Sequence, residues 1–460
     1  MVGSRIRVAV WYVTHRLCSW DHKVTRRSGA GIGGLALAVV LATYADSSVE
    51  VAVYEGAPAI TTVGAGISVW KRTWRIMQLL GLDAELAKKA IEPPDDSPRP
   101  GLAFRRSDQL YAGYDFDQMI MPYGAITLHR ADVVDILKRK IPNRYSVSTS
   151  KRVKAYTREL DGSITLHFTD GSLANCDVLV GADGIHSRIR QSMFRRIAEH
   201  DGMSDIAELD SIQSKTGPVW TGTLAYRSLI PKETLESSAL TACVVLIPCV
   251  QHFIAYPVSQ GRLINAVGFY TVPRAEGTPF DGTWVTDVSR QEVMDRFGAF
   301  EPEVQAIAKC MECPSRWAIH SMASLPHYAY ERVAIIGDAA HAMTTHLGAG
   351  AGQAMEVSDA YVLGRLLAHP SLTLDKIPDA LRIYEEIRLP FANTVVKESE
   401  ITGLLYEFNG TMYDGLDRSK EREELHTLAK QIEKQWEWHW TKEFDKDWER
   451  AETLLSDVLG

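Results

Sequence analysis

The chain has 460 residues, of which 45% are hydrophobic and 23% charged, a balance that excludes disordered and fibrous proteins. Its 50 basic and 58 acidic side chains leave a formal charge of −8, which makes it poorly suited to bind nucleic acid or an anionic membrane. The longest apolar run, residues 35–42, is far shorter than the roughly 20 residues of a membrane span. We therefore expect a cytoplasmic protein with no membrane span and, from its length, two or three domains.

The amino-terminal part of the chain has the pattern of a nucleotide-binding fold. Residues 7–10 predict the start of a buried strand, and Gly29, Gly31 and Gly34 satisfy the spacing GxGxxG. The apolar run 35–42 predicts a helix buried beneath a sheet. A second predicted strand ends in Glu55, about twenty residues after the last glycine, which is the usual distance for this motif.

This arrangement suits a dinucleotide for physical reasons. The first glycine permits a tight turn, the second lets the backbone approach a pyrophosphate, and the third lets helix and strand pack closely. The amino end of the helix offers unpaired N–H groups to phosphates, and Glu55 can accept hydrogen bonds from ribose hydroxyls. The sequence therefore predicts a dinucleotide site here; the alternative is a glycine-rich turn without a ligand.

One segment interrupts the pattern. The strand should run almost directly into the first glycine, but residues 11–27 intervene and show neither helical nor strand periodicity. Without them the chain would read Arg-Val-Ala-Val-Ser-Gly-Ala-Gly-Ile-Gly-Gly, a regular fingerprint. We hypothesise that 11–27 is translated non-coding sequence, and the alternative is a genuine loop extruded from the turn. Sequencing of the mature transcript decides between them.

The middle and end of the chain differ in character. Asp161-Gly162 and Asp170-Gly171 predict turns between short strands. An inserted, mostly antiparallel sheet is predicted for 215–330, with strands at 219–227, 242–250, 253–256 and 263–270. Residues 331–338 predict a return to a buried strand, and the remainder predicts helices.

Three motifs occur together in this chain: the glycines of 29–34, Val180-Gly-Ala-Asp-Gly184, and Gly337-Asp-Ala-Ala-His341. In this combination the chain resembles the class A flavoprotein monooxygenases over nearly its whole length. Within that family, Thr127-Leu-His-Arg-Ala-Asp132 and Trp436-Glu-Trp-His-Trp440 resemble fungal salicylate hydroxylases.

The resemblance implies an α/β protein with the aromatic hydroxylase fold. It would have a Rossmann-like FAD-binding domain, an inserted and mostly antiparallel β-sheet substrate domain, and a helical C-terminus. The FAD-binding domain would take 1–100, 127–214 and 331–370, the substrate domain 101–126 and 215–330, and the helical region 371–460.

The resemblance also implies which residues hold FAD. They are Gly29, Gly31, Gly34, Glu55, Gly66, Arg130, Asp183, Asp338, Gly350 and Ala351. Arg130 would lie near the phosphates, Asp183 would serve both FAD and the pyridine nucleotide, and Asp338 would bind the ribityl chain. A helix starting near Gly350 would turn its N–H groups to the pyrimidine edge of the flavin, where the reduced ring carries negative charge.

The implied reaction is hydroxylation of a small phenolic or aromatic acid such as salicylate. NAD(P)H reduces FAD, dioxygen adds to give a flavin hydroperoxide, and the substrate attacks its distal oxygen. With salicylate, attack at the carboxylated carbon would release carbon dioxide and yield catechol. The protein must favour the phenolate through a general base or a positive potential and must exclude water.

Three side chains of the predicted sheet are candidates for handling the phenol. His252 and Tyr256 share one face of a predicted strand at period two, and Tyr226 ends another strand. The alternative for each is a packed, hydrogen-bonded residue without a catalytic role.

The chain departs from the family pattern at several positions. Thr345 stands where the family usually has proline, and the usual Glu-Asp-Ala run is split as Glu356-Val-Ser-Asp-Ala360. The alternative functions are an FAD-dependent epoxidase of an apolar alkene, or a non-catalytic flavin- or nucleotide-binding protein disabled by segment 11–27. No metal site is expected, because Cys310 and Cys313 form the only CxxC pair.

Overall fold

The computed structural model describes residues 5–12, 15–16, 27–28, 31–60, 66–202, 216–235, 243–247, 251–347, 349–409 and 419–460. Its strands in chain order are β1 (Ile6–Tyr12), β2 (His15–Arg16), β3 (Arg27–Ser28), β4 (Val49–Glu55), β5 (Gly66–Val69), β6 (Pro98–Arg106), β7 (Tyr114–Pro122), β8 (Ile126–His129), β9 (Ser146–Ser148), β10 (Val153–Arg158), β11 (Ile164–Phe168), β12 (Leu173–Cys176), β13 (Val178–Ala182), β14 (Pro218–Pro231), β15 (Cys243–Ile247), β16 (Gln251–Val258), β17 (Leu263–Thr271), β18 (Val285–Asp287), β19 (Ser315–Met322), β20 (Ala329–Tyr330) and β21 (Val333–Ile335).

Its helices are α1 (Ile32–Tyr44), α2 (Lys71–Leu79), α3 (Asp83–Ala87), α4 (Arg130–Lys140), α5 (Arg188–His200), α6 (Arg290–Phe297), α7 (Pro302–Lys309), α8 (Asp338–His341), α9 (Ala349–Leu367), α10 (Ile377–Tyr406), α11 (Glu421–Trp436), α12 (Trp438–Thr441) and α13 (Phe444–Leu459). None of the helices in the described part of the chain combines the length and apolarity needed to cross a bilayer.

The first large sheet is the nucleotide-binding layer predicted from the sequence. Its strand order is β20-β21-β13-β1-β4-β9, and all pairs are parallel except β20 with β21. Helix α1 is buried from Ile32 to Leu41, as expected for a helix that is apolar on every side. The predicted strand 49–55 and the predicted helix at 35–42 are both confirmed.

The first strand continues into the segment that interrupts the fingerprint, although residues 11–27 show no strand periodicity in the sequence. Trp11 and Tyr12 extend β1 between β13 and β4 and are both buried. They are apolar enough to continue a strand that is covered on both faces. Beyond them, β2 pairs with β3, and residues 17–26 lie outside the described residues. The origin of the segment stays a hypothesis.

The second large sheet has the order β18-β19-β14-β17-β16-β15-β6-β7. All neighbours are antiparallel except β15 with β6, which confirms the mostly antiparallel insertion. One face packs against α6 and α7 in a separate apolar core. The opposite face carries Ala225, Val267 and Phe269 and is turned toward the first layer.

A chain of buried charges ties the carboxyl-terminal helices to the end of β21. Asp359 of α9 accepts hydrogen bonds from Gly337 N (3.1 Å), from His341 Nε2 (2.5 Å) and from Arg388 Nε of α10 (2.9 Å). Arg388 also lies 3.5 Å from Asp447 of α13, which in turn pairs with Arg72 of α2. Helices α9, α10 and α13, from the carboxyl-terminal part of the chain, therefore stabilise the position of Gly337 and His341.

Candidate functional site

The glycine fingerprint lies at the amino end of α1, where β1 ends. Gly31 is the N-cap residue of α1 and no side chain caps the helix from that position. A Cβ at Gly34 would lie 2.9 Å from a ring carbon of Tyr12, so only glycine lets the strand and helix approach this closely. Gly29 lies outside the described residues. The start of α1 thus presents the backbone N–H groups that a phosphate needs.

Glu55 is at the carboxyl end of β4, next to Tyr12 in the register of the sheet. Its side chain is fully buried, and Oε1 accepts a hydrogen bond from Ala57 N at 2.5 Å. A carboxylate at this position can reach ribose hydroxyls bound at the edge of the sheet.

Asp183 is at the end of β13 but turns toward α5. Its carboxylate accepts hydrogen bonds from Ser187 Oγ (2.5 Å), Arg188 N (2.6 Å) and Ile189 N (3.3 Å). Burial raises the pKa of Asp183 to about 6. In this structure it caps the helix, so its role toward FAD and the pyridine nucleotide stays a prediction.

Asp338 and Arg130 are each the first residue of a helix. Asp338 follows β21 and is exposed, at the carboxyl edge of the sheet where ligands bind in such folds. Arg130 begins α4 directly after β8, which pairs with β5. Gly350 and Ala351 fall in the first turn of α9.

Gly66 connects the two layers. Its N–H donates to Oδ1 of Asn265 in β17 (3.3 Å), and a Cβ there would lie 2.6 Å from the ring of Tyr256. Glycine is therefore needed at this position for Tyr256 to pack beneath β5.

A cavity that is partly open to solvent lies between the second large sheet, β5 and the helices α10 and α11. Its walls are mostly apolar with a few polar groups, as in small-molecule sites generally. The lining residues are Ser68, Trp70, Leu102, Ala225, Arg227, Ile254, Tyr256, Asn265, Val267, Phe269, Ile319, Thr345, His346, Tyr406 and Trp436.

Arg227 is the cationic side chain of this cavity wall. Its guanidinium lies 5.3 Å from the centre of the Trp317 ring. Burial lowers its pKa, Tyr256 opposes that effect and the Arg130 cation adds to it. Arg227 is half-buried, and within the described residues no carboxylate forms an ion pair with it. An anionic ligand would therefore find an uncompensated cation in this wall.

His346 lines the cavity, and His252 and Glu407 lie behind it in the protein core. His346 Nδ1 lies 3.2 Å from His252 Nε2, and His252 Nδ1 lies 3.3 Å from Glu407 Oε1. Glu407 also accepts a hydrogen bond from Thr271 Oγ1 at 2.9 Å. Burial lowers the pKa of both histidines to about 3 and raises that of Glu407, so the imidazoles are neutral at pH 7.

The three candidates for handling the phenol have different positions. Tyr256 lines the cavity, whereas His252 is fully buried behind His346. Tyr226 faces the opposite side of the sheet, where its hydroxyl donates to Glu292 at 3.0 Å and its ring packs on Phe297. Tyr226 lies on the face away from the cavity, because side chains alternate along a strand and Arg227 takes the cavity side.

Two residues of the cavity, Arg227 and His346, were missed from the sequence. Arg227 is adjacent to Tyr226 on the same strand. The alternation of side chains along a strand would have indicated Arg227 if the sequence had shown which face borders the cavity. His346 lies in the irregular stretch after α8, where no periodicity indicates the direction of a side chain.

The cavity also contains polar groups that have no partner within the described residues. Trp70 Nε1 and Thr345 Oγ1 are buried, border the cavity and make no hydrogen bond. Buried donors are normally paired, so they fit a bound ligand with acceptor atoms. Together with the α1 amides, Glu55 and the exposed Asp338, they are groups that would hold a flavin dinucleotide. The fold and site therefore define a flavin-binding enzyme of the oxidoreductase class.

Comparison with known proteins agrees with this class. The model of the FAD binding domain family matches residues 28–399. Salicylate hydroxylase from Pseudomonas putida is 32% identical over 443 residues, covering 93% of this chain and 94% of that protein. A 6-methylsalicylate 1-monooxygenase from Aspergillus terreus is 29% identical over 449 residues, covering 94% and 92%.

Among solved structures, a salicylate hydroxylase substrate complex superposes with a TM-score of 0.76 at 29% identity, covering 97% of this chain and 98% of that one. The chain belongs to the salicylate hydroxylase family of FAD-dependent aromatic monooxygenases. The predicted fold class, enzyme class and flavin cofactor are confirmed.

Proposed function

We propose that this enzyme hydroxylates a small phenolic acid of the salicylate type, with NAD(P)H as reductant and dioxygen as oxidant. With salicylate the reaction is a decarboxylative hydroxylation to catechol. The observation that carries the proposal is the half-buried Arg227 guanidinium in the wall of a mostly apolar cavity, where no acidic side chain of the described residues forms an ion pair with it.

The cavity supports an aromatic acid on two grounds. Ile254, Val267 and Phe269 offer an apolar surface for a ring. Arg227, with Arg130 as a neighbouring cation, offers a positive potential that stabilises a carboxylate. The same potential lowers the pKa of a phenol beside it, and the phenolate is the form that reacts with an electrophilic oxygen.

The phenol oxygen is proposed to lie near Tyr256 and His346. From His346 a proton can pass to His252, because His346 Nδ1 and His252 Nε2 lie 3.2 Å apart in a hydrogen bond. Glu407 Oε1 lies 3.3 Å from His252 Nδ1 without a hydrogen bond between them, so a transfer to Glu407 requires a small shift of the side chains. His252 is thus a positioning and relay residue rather than a direct contact of the substrate. Neutral imidazoles can accept a proton at one nitrogen while giving one from the other.

FAD, when bound, supplies the redox and oxygen-activating chemistry. Gly31, Gly34, Glu55, Arg130 and Asp338 are proposed to hold it. The six-segment domain division and a cytoplasmic location also remain part of the proposal.

The test combines binding with product analysis. FAD-loaded enzyme is titrated with salicylate while the visible flavin bands are followed, and NAD(P)H, catechol and carbon dioxide are then quantified. We expect a saturable band shift and close to one catechol and one carbon dioxide for each NAD(P)H consumed.

Two control measurements address the alternatives. Phenol tests whether the carboxylate is needed, and an isoprenoid alkene tests the epoxidase alternative. Turnover of the alkene without turnover of any phenolic acid would overturn the proposal. Flavin-loaded protein whose spectrum and NAD(P)H oxidation respond to neither substrate would favour a non-catalytic flavin protein.

A further inference from the structure

Glu356 of α9 lies against the dinucleotide fingerprint. Its Oε2 accepts a hydrogen bond from Gly33 N at 2.9 Å, and the side chain is 7% exposed. A Cβ at Gly33 would lie 3.3 Å from the Glu356 Cβ, and one at Gly337 would lie 2.8 Å from its Cγ. The side chain therefore fills the space between the start of α1 and the end of β21.

The sequence explains how an acid comes to this position. Asp359 is fixed by His341, Gly337 N and Arg388. Because Glu356 precedes it by three residues on the same helix, the two side chains lie on neighbouring positions of one helix face. Val357 and Ser358, which split the Glu-Asp-Ala run, set this spacing and direct Glu356 to the fingerprint.

The Gly33 amide belongs to the end of α1 that would bind the phosphates of a dinucleotide. Gly33 is in the first turn of α1, where backbone N–H groups have no partner within the helix. These groups, with the positive end of the helix dipole, are the usual cradle of a dinucleotide's phosphates. A carboxylate at Gly33 N therefore occupies an anion position at the phosphate cradle.

We propose that Glu356 is an internal anion that competes with the diphosphate of FAD for the amino end of α1, so that cofactor loading requires loss of its charge or its displacement. Two anions at one helix end repel each other across a short distance in a buried site, where screening by water is weak. The proposal concerns loading of the cofactor and does not depend on the identity of the substrate.

The charged surroundings of Glu356 give this competition a pH dependence. Asp338 of α8 disfavours the charged form, whereas Arg130 of α4, His341 of α8 and the Gly33 amide of α1 favour it. Burial is the largest effect, and it raises the pKa of Glu356 to about 7. The carboxyl can therefore lose its charge near neutral pH, and bound diphosphate raises this pKa further.

The sign of the effect follows from linkage. If FAD binds more tightly when Glu356 is protonated, its affinity is constant below about pH 7 and falls as the pH rises above that value. The slope is at most tenfold per pH unit for one proton. In the Glu356→Gln variant the charge is absent, so this dependence should vanish while the side chain still caps Gly33 N.

The experiment is a titration of cofactor-free protein with FAD at pH 6, 7, 8 and 9, followed by quenching of flavin fluorescence. We expect the Kd of the unmodified protein to rise above pH 7, by at least tenfold between pH 7 and 9. We expect Glu356→Gln to bind at pH 8 at least as tightly as the unmodified protein binds at pH 6.

Two further variants complete the test. Glu356→Ala removes the bulk as well as the charge and should bind at pH 8 as Glu356→Gln does. Glu398→Gln removes a half-buried carboxyl near Lys442 and should leave the pH profile unchanged. Circular dichroism melting of each cofactor-free protein establishes that it is folded.

The proposal is overturned if the unmodified protein binds FAD with the same Kd from pH 6 to 9. It is equally overturned if folded Glu356→Gln binds FAD more weakly than the unmodified protein at pH 8, since Glu356 would then support the cofactor rather than compete with it.

Discussion

Arg227 should decide whether the substrate must carry a carboxylate, and Arg227→Gln is the variant that tests this. Glutamine keeps part of the length and polarity of the side chain but removes the charge and the forked donor geometry. Arg227 lines the cavity, and no acidic side chain in the described part of the chain forms an ion pair with it. Loss of the Arg227 charge should therefore weaken the binding of an anionic ligand and leave the binding of a neutral ligand nearly unchanged.

The expected magnitude follows from the contact that is lost. A hydrogen bond to a charged group contributes about 1.5–3 kcal/mol, and each 1.4 kcal/mol is about tenfold in Kd. Salicylate should therefore bind about 10- to 150-fold more weakly to Arg227→Gln. Phenol, which lacks the carboxylate, should bind to the variant about as well as to the unmodified enzyme.

The assay is titration of the FAD-loaded enzyme with each ligand, followed by the shift of the flavin absorption bands. Arg316→Gln is the matched control, because Arg316 is on the same sheet but pairs with Glu292 at 3.0 Å on the other face. An unchanged Kd for salicylate, or an equal loss for salicylate and phenol, would refute the assignment of Arg227 to the carboxylate.

Three other outcomes are expected. His346→Gln should bind salicylate normally but form catechol up to about 100-fold more slowly, because the proton path to His252 is interrupted. The variant should also release hydrogen peroxide. An unchanged ratio of catechol formed to NAD(P)H consumed would contradict this prediction. Asp447→Asn should lower the unfolding free energy by about 3 kcal/mol, because Arg72 and Arg388 are buried. Asp445→Asn removes an exposed ion pair with Arg75 and should lower the unfolding free energy by only about 0–1 kcal/mol. Equal decreases in the melting temperature of Asp447→Asn and Asp445→Asn would contradict this prediction. Deletion of 11–27 joins Val10 to Ser28 and leaves a regular fingerprint, and it should increase the FAD retained on purification. Reduced retention would show that the segment, which includes the end of β1, supports the site.

Much of the first layer could be predicted because its signals are local. The spacing of Gly31, Gly34 and Glu55 specifies a strand, a turn, a helix and a second strand in one short stretch. The turns at Asp161-Gly162 and Asp170-Gly171 are equally local, and both glycines have the positive φ that such turns need. Family resemblance extended these signals to the fold and the cofactor.

Residues 11–27 show the limit of periodicity over a short stretch. Trp11 and Tyr12 begin a stretch without helical or strand periodicity, yet they complete β1 between the neighbouring strands β13 and β4. Strand length there depends on β13 and β4, which lie elsewhere in the chain. Their unpaired backbone groups favour two more residues of β1.

The sequence by itself determined the flavin fingerprint and the strands of the inserted sheet, since each depends on residues a few positions apart. It also indicated the class of enzyme, through the resemblance carried by the three motifs at 29–34, 180–184 and 337–341. The tertiary structure alone decided which face of that sheet borders the cavity. Tyr226 and Arg227 alternate on one strand, and α6 and α7 cover the Tyr226 side. It also brought His346, His252 and Glu407 together and directed Glu356 to Gly33 N. Such contacts join distant segments, and only the packing of the whole chain fixes the distances between them.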